Sequence, residues 1–305
     1  MVAETEDEGS TPTKRHIEAE PWHSLVRFDD LPHWQQDNHY ILSGYRKASY
    51  SYFNSMQSML HWHNESINIW THFLPGVLFL PLGGILYNAL KARYELASSA
   101  DIYVMSCFFI CVGTGMLMSG IFHTLSNHSP KVAKFWNQLD HVGIAFMIWG
   151  SFVPSVHYGF WCEPDLRNVY WTMITVFGLG SICVTMLPSF RTPAWRPYRA
   201  ALFVAMGLSA IFPVFHGLQK YGLQQMQRQM GLFWVVLQGA LYIVGAAIYA
   251  CRFPESFHPG RYDKVGASHQ IFHVFVVLAA ASHLVGLLKA FDHWHGVSGG
   301  ICLSP

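Results

Sequence analysis

Histidine, serine and aspartate stand in this chain at spacings that could build a metal site. His269 and His273 are four residues apart, as are Ser119 and His123, and on a helix each pair shares one face. Asp140 is the only acid between Asp101 and Glu163, and His141 follows it directly. Imidazoles from His123, His269 and His273, with that carboxylate near them, form the donor set of a zinc ion that keeps its fourth position open. Such an ion lowers the pKa of its bound water to about 7. Asp140 would then act as general base and Ser119 as a hydrogen-bond donor to an oxyanion.

Each residue also has a plainer reading. An i, i+4 histidine pair serves as hydrogen-bonding glue between membrane helices, and a lone serine as packing glue. Asp140 would suit a helix N-terminus through the dipole, and His123 would suit an interface as a snorkelling side chain. A haem would want histidines facing each other at two depths, and His157 and His216 form no such pair. What separates these readings is where the elements place the residues.

The chain has 305 residues, of which 51% are hydrophobic and only 12% charged, with a net charge of +1. Soluble domains carry roughly twice that charge. Disorder needs high charge, and nucleic-acid binding needs a basic domain, so both are excluded for the body of the chain. Seven runs lack Asp, Glu, Lys and Arg: Ser66–Leu90, Ile102–Pro130, His141–Cys162, Asn168–Phe190, Ala200–Gln219, Gln229–Cys251 and Val265–Leu288. About 20 largely apolar residues cross the hydrocarbon core as a helix. The fold class is therefore all-α and polytopic, with seven transmembrane helices.

Parity alone then puts His123 at the end of span two level with Asp140 and His141 at the start of span three. It also puts them level with His269 and His273 at the start of span seven. Ionisable groups at membrane depth are functional candidates by default. With the N-terminus in the cytoplasm, the inner segments carry ten basic residues near the spans (among them Arg46, Lys131, Arg199 and Arg252), and the outer segments carry six. The bias places the N-terminus inside and the C-terminus outside.

The domain plan that follows has a disordered acidic tail over 1–20 and a cytoplasmic or interfacial segment over 21–65. A seven-helix domain over 66–290 and a short non-cytoplasmic tail over 291–305 complete it. The tail lacks the basic and apolar regions of a signal peptide. Ala48–Asn64 is uncharged but rich in Ser, Asn, Gln and His, and reads as interfacial. The six cysteines show no CxxC, so free, buried thiols are expected rather than disulfides.

Four ordered motifs carry a resemblance. They are Glu65-Ser-Ile-Asn68-Ile-Trp-Thr71-His72, Ser119-x3-His123, Leu139-Asp140-His141-x-Gly143-Ile144 and Ser268-His269-Gln270-Ile271-Phe272-His273. Together with Gly44-Tyr45-Arg46 and Arg252-x-Pro254-Glu255, they resemble the progestin and adipoQ receptor family of haemolysin-III-related membrane proteins, and its adiponectin-receptor branch most. The resemblance runs from about Pro32 to Cys302. It implies a zinc near the cytoplasmic face held by His123, His269 and His273, with Asp140 acting through water and Ser119 beside them. It further implies ceramidase-like hydrolysis of a membrane lipid, linked to lipid-metabolism signalling at the plasma membrane, with an extracellular ligand as partner. The chain departs at His141, where animal receptors carry tyrosine, and over Phe291-Asp-His-Trp-His295.

Two other classes compete with the hydrolase. In a receptor with structural zinc, removing the metal would unfold the bundle. A zinc or ion transporter would carry ionisable groups along a path near the midplane, whereas here they gather at one end. Oligomeric state is not encoded in any pattern of this sequence.

Overall fold

The computed structural model describes residues 23–93, 97–190, 193–297, 300 and 302. The acidic stretch 1–20 and most of 298–305 lie outside the described residues. Seven segments are long and apolar enough to span a bilayer, from Ser66–Ala92 to Ser268–Gly296. They are built from α2 (Ser66–Arg93), α3 (Ser99–Leu125), α4 (Pro130–Gly159), α5 (Pro164–Met186), α6 with α7 (Arg196–Leu208 and Ile211–Gln229), α8 (Leu232–Ala250) and α9 (Ser268–Asp292). A short helix, α1 (Tyr52–Gln57), and a two-residue hairpin pairing β1 (Leu25–Val26) with β2 (Tyr45–Arg46) precede them.

The fifth span differs from its charge-free run. Its helical turn tightens at Ser209–Ala210, where the backbone stays right-handed, and α7 is kinked at Gly222, three residues past the expected end, before it runs on to Gln229. Gly222 takes φ +74 inside it, and Gly231 takes φ +66 in the turn that follows. That left-handed turn sets the start of the sixth span at Leu232, and a side chain at Gly231 would meet the Gly286 carbonyl oxygen at 2.6 Å. A count of charges sees neither feature, because it registers solvation cost and not helix geometry.

Small residues set how closely the central helices approach. A Cβ on Gly115 would meet the Gly143 carbonyl oxygen at 2.8 Å, and one on Gly150 would meet Cys111 Cβ at 2.4 Å. The stripe Cys107, Cys111, Gly115 and Ser119 therefore faces α4, as small residues do where membrane helices touch. Continuing that antiparallel register by one turn brings Ser119 level with Asp140. On its other flank α3 meets α2 at Gly76, Gly113 and Gly120.

The bundle has two polar ends. At one, residues 23–64 lie against the loop between α8 and α9. Asp263 accepts from the Leu42 amide at 2.9 Å and the Ser43 hydroxyl at 2.6 Å. At the other end, buried Asp101 caps α3 at Ser98 and accepts from Tyr158 and His295, both at 2.9 Å.

The same end carries a disulfide between Cys162 and Cys302. This corrects the expectation of free thiols: α4 and α9 run parallel, so the residues following each end at one level despite a separation of 140 positions. Cys183 and Cys251 are free but exposed, and only Cys107 and Cys111 are half-buried thiols.

Candidate metal centre

His123 lies in the last turn of α3, and His269 and His273 lie in the first turns of α9. One ring nitrogen from each falls within 4.8 Å of the others. The ring centroids are 4.7 to 5.0 Å apart. His123 and His273 are buried, and His269 is half-buried.

The outer nitrogens of two rings are tied by acceptors. His123 Nδ1 donates to Glu65 Oε2 at 2.8 Å, and His273 Nδ1 donates to the Asn68 carbonyl at 3.1 Å. Those acceptors fix the Nδ1–H tautomer, so both Nε2 lone pairs are free for a cation. His123 Nε2 and His269 Nε2 stand 3.2 Å apart. That is close to the edge of a tetrahedron with metal–nitrogen bonds of about 2.0–2.1 Å. A carboxylate behind a metal-binding imidazole also raises its basicity and fixes its orientation.

The sequence reading left Glu65 out of the site, yet it is the carboxylate in direct contact with a candidate ligand. Asn68 donates to it at 2.6 Å. Burial alone would raise the Glu65 carboxyl, but its contact with His123 and the hydrogen bonds from His123 and Asn68 outweigh it and hold it below the usual carboxylate range. The signal was available: an acid three residues before an asparagine, at the start of a span on the histidine side.

Arg46, read from the sequence as a motif residue and an inner basic residue, also reaches the site. Its guanidinium donates to the carbonyls of His123 and Thr124 at 2.6 and 2.9 Å and to Ser58 Oγ at 2.8 Å. It thus satisfies the open carbonyls at the C-terminus of α3, where the dipole favours a cation. Burial draws it down to about 10, with Glu65 acting the other way. Glu255, fully buried, holds the start of α9 in the same manner, accepting from the Ser268 amide at 2.8 Å and from its hydroxyl.

The remaining sequence candidates lie around this cluster. Ser119 is buried one turn before His123. Asp140 is half-buried on α4 and makes no side-chain hydrogen bond to a described residue. The Tyr249 ring of α8 packs edge-on against His269 at 4.8 Å. His141 turns away, donating from Nδ1 to the Asn137 carbonyl and approaching Phe203 on α6. His72 stacks on His273 at 3.7 Å, and both its ring nitrogens are buried without a partner among the described residues.

Residues 60–284 match the family described as haemolysin-III related. The chain is 38% identical over 271 residues to the ADIPOR-like receptor IZH2 of Saccharomyces cerevisiae, covering 89% of this chain and 85% of that one. It is 38% identical over 274 residues to the adiponectin receptor protein of Drosophila melanogaster, covering 90% of this chain but 59% of the longer fly protein. It is 34% identical over 303 residues to heptahelical transmembrane protein 3 of Arabidopsis thaliana, covering 88% of each.

Proposed function

The chain belongs to the haemolysin-III related family, and on that premise we propose that this adiponectin-receptor-like seven-helix membrane protein binds zinc and hydrolyses a lipid amide. The observation that carries the reading is the convergence of three imidazoles, two of them with Nδ1 fixed by an acceptor. An all-nitrogen set of three suits zinc with an open position. When bound, the ion would supply Lewis acidity toward a carbonyl and acidify water.

The chain's own groups do the rest. Asp140 takes a proton from the attacking water as its oxygen bonds to the amide carbon. Ser119 Oγ–H donates to the carbonyl oxygen as negative charge develops there. The proton held by Asp140 then passes to the departing nitrogen as the C–N bond breaks, leaving a fatty acid and an amine. The site lies at one end of apolar helices, so a substrate would keep its acyl chain among the spans while its amide reaches the cluster. A ceramide-like lipid meets that requirement.

The histidine end faces the cytoplasm in this reading. Basic residues favour that side, and the Cys162–Cys302 disulfide at the opposite end suits an oxidising compartment. The plasma membrane satisfies both conditions, and any extracellular ligand would meet the disulfide end.

A second reading rests on the way His123, Glu65 and Arg46 join α3, α9 and the N-terminal segment. Zinc would there be structural, in a signalling receptor. Elemental analysis of the purified protein distinguishes the first step: about one zinc per chain is expected in the wild type, and much less in His273→Ala. Ceramide hydrolysis is then compared in wild type, Ser119→Ala and Asp140→Ala. Equal rates in all three would remove the hydrolase and leave the receptor.

A further inference from the structure

The short helix α1 is inside out for a helix in water. Its polar side faces the protein: Ser55 and Ser58 are 0% and 5% exposed, Ser55 donating to Asn127 Oδ1 and Ser58 accepting from Arg46. Its apolar side faces away. Phe53 is 73% exposed and Leu60, just past the helix, 80%, with Tyr52, Met56 and Trp62 also exposed. Positions 52, 53, 56 and 60 follow a helical spacing, so they form one ridge. An amphipathic helix in water turns this pattern the other way. Solvent-facing clusters of this kind mark an interaction surface.

The ridge is continuous with the lipid-facing side of the first span. Trp70, Leu74 and Leu78 are exposed along α2, and the Trp70 indole donates to the Met59 carbonyl at 3.2 Å. That bond joins the ridge to the outward face of a membrane helix at the level where the helix leaves the bilayer. Tyrosine and tryptophan concentrate at this level, and helices with one apolar face lie there in the plane of the membrane.

We propose that residues Tyr50–Trp62 are an in-plane anchor whose ridge of Tyr52, Phe53, Met56, Leu60 and Trp62 is submerged in the headgroup–acyl boundary of the leaflet at the histidine end. The partner is the lipid surface itself. The opposite face transmits that contact inward, from Ser58 through Arg46 to the His123 carbonyl. Glu65 follows three residues beyond the ridge and meets the His123 ring. The inference holds for either reading of the metal.

The test uses the full chain with Cys183→Ser and Cys251→Ser, one chain per phosphatidylcholine nanodisc. A spin label is placed in turn at Phe53→Cys and Leu60→Cys. Leu74→Cys serves as the lipid reference and Asp30→Cys, on the exposed N-terminal segment, as the aqueous one. The ratio of oxygen collisions to nickel-chelate collisions is expected to be several-fold higher at 53 and 60 than at 30, and to approach that at 74. Ratios at 53 and 60 equal to that at 30 would overturn the anchor. So would chelate exclusion that appears only when two chains, or an added protein, share the disc, since the ridge would then be a protein interface.

Discussion

At the scale of single residues, the candidate site depends on groups beyond its three clustered histidines. Glu65→Gln keeps the shape of the side chain but removes the charge behind His123. Such outer partners typically contribute about 10–100-fold in metal affinity, and competition with a chromophoric chelator should read a loss of that size. His63 makes a separate, acid-sensitive contact between α1 and α2. Its Nε2 donates to the Ser58 carbonyl while its Nδ1 accepts from the Glu65 amide. Burial and the neighbouring Arg46 push its pKa down to about 3.

A depressed histidine stabilises the fold above its unfolded pKa of about 6.5 and loses that contribution as pH falls toward the folded value. Between pH 7 and 5 the wild type should therefore lose up to about 2 kcal/mol more than His63→Gln. Melting curves in detergent at both pH values check this. Parallel losses would show that His63 is not the group responsible.

At the scale of elements, the contact between α3 and α4 sets the register that aligns Ser119 with Asp140. Gly115→Ala would press a methyl group to 2.6 Å from Met147 Cγ and 2.8 Å from a backbone oxygen. Overpacking of this kind costs about 1–3 kcal/mol and should lower the melting temperature and hydrolysis together. Gly84→Ala, where an added Cβ meets nothing within 4 Å, should leave both unchanged or raise stability slightly. The seven spans were legible in the sequence because charge is so costly in hydrocarbon that it marks their ends. The parity of those spans made the level of His123, His269 and His273 legible as well. The tightened turn at Ser209–Ala210 and the kink at Gly222 were not, because neither changes the charge pattern of the run.

At the scale of the whole molecule, the parts that escaped the sequence reading are those joined across long stretches of chain. The contact of Glu65 with His123 spans 58 positions and the disulfide spans 140. Neither leaves a local period to read. The two ends also differ in chemistry, which makes orientation measurable. In sealed cells a membrane-impermeant reductant followed by an impermeant maleimide should label Cys162 and Cys302 from outside, while Lys131→Cys stays unlabelled until the membrane is opened. The reverse pattern would invert the proposed topology.

That long separation also bears on how the protein is made. His123 and His269 are 146 positions apart, and ribosomes add about 5–20 residues per second, so synthesis of the stretch takes on the order of ten to thirty seconds. Through that interval the nascent chain holds Glu65, His72 and His123 but neither His269 nor His273 to set beside them. A pocket completed only by the last span does not exist in any truncated chain. The three-histidine cluster is therefore a property of the finished molecule alone.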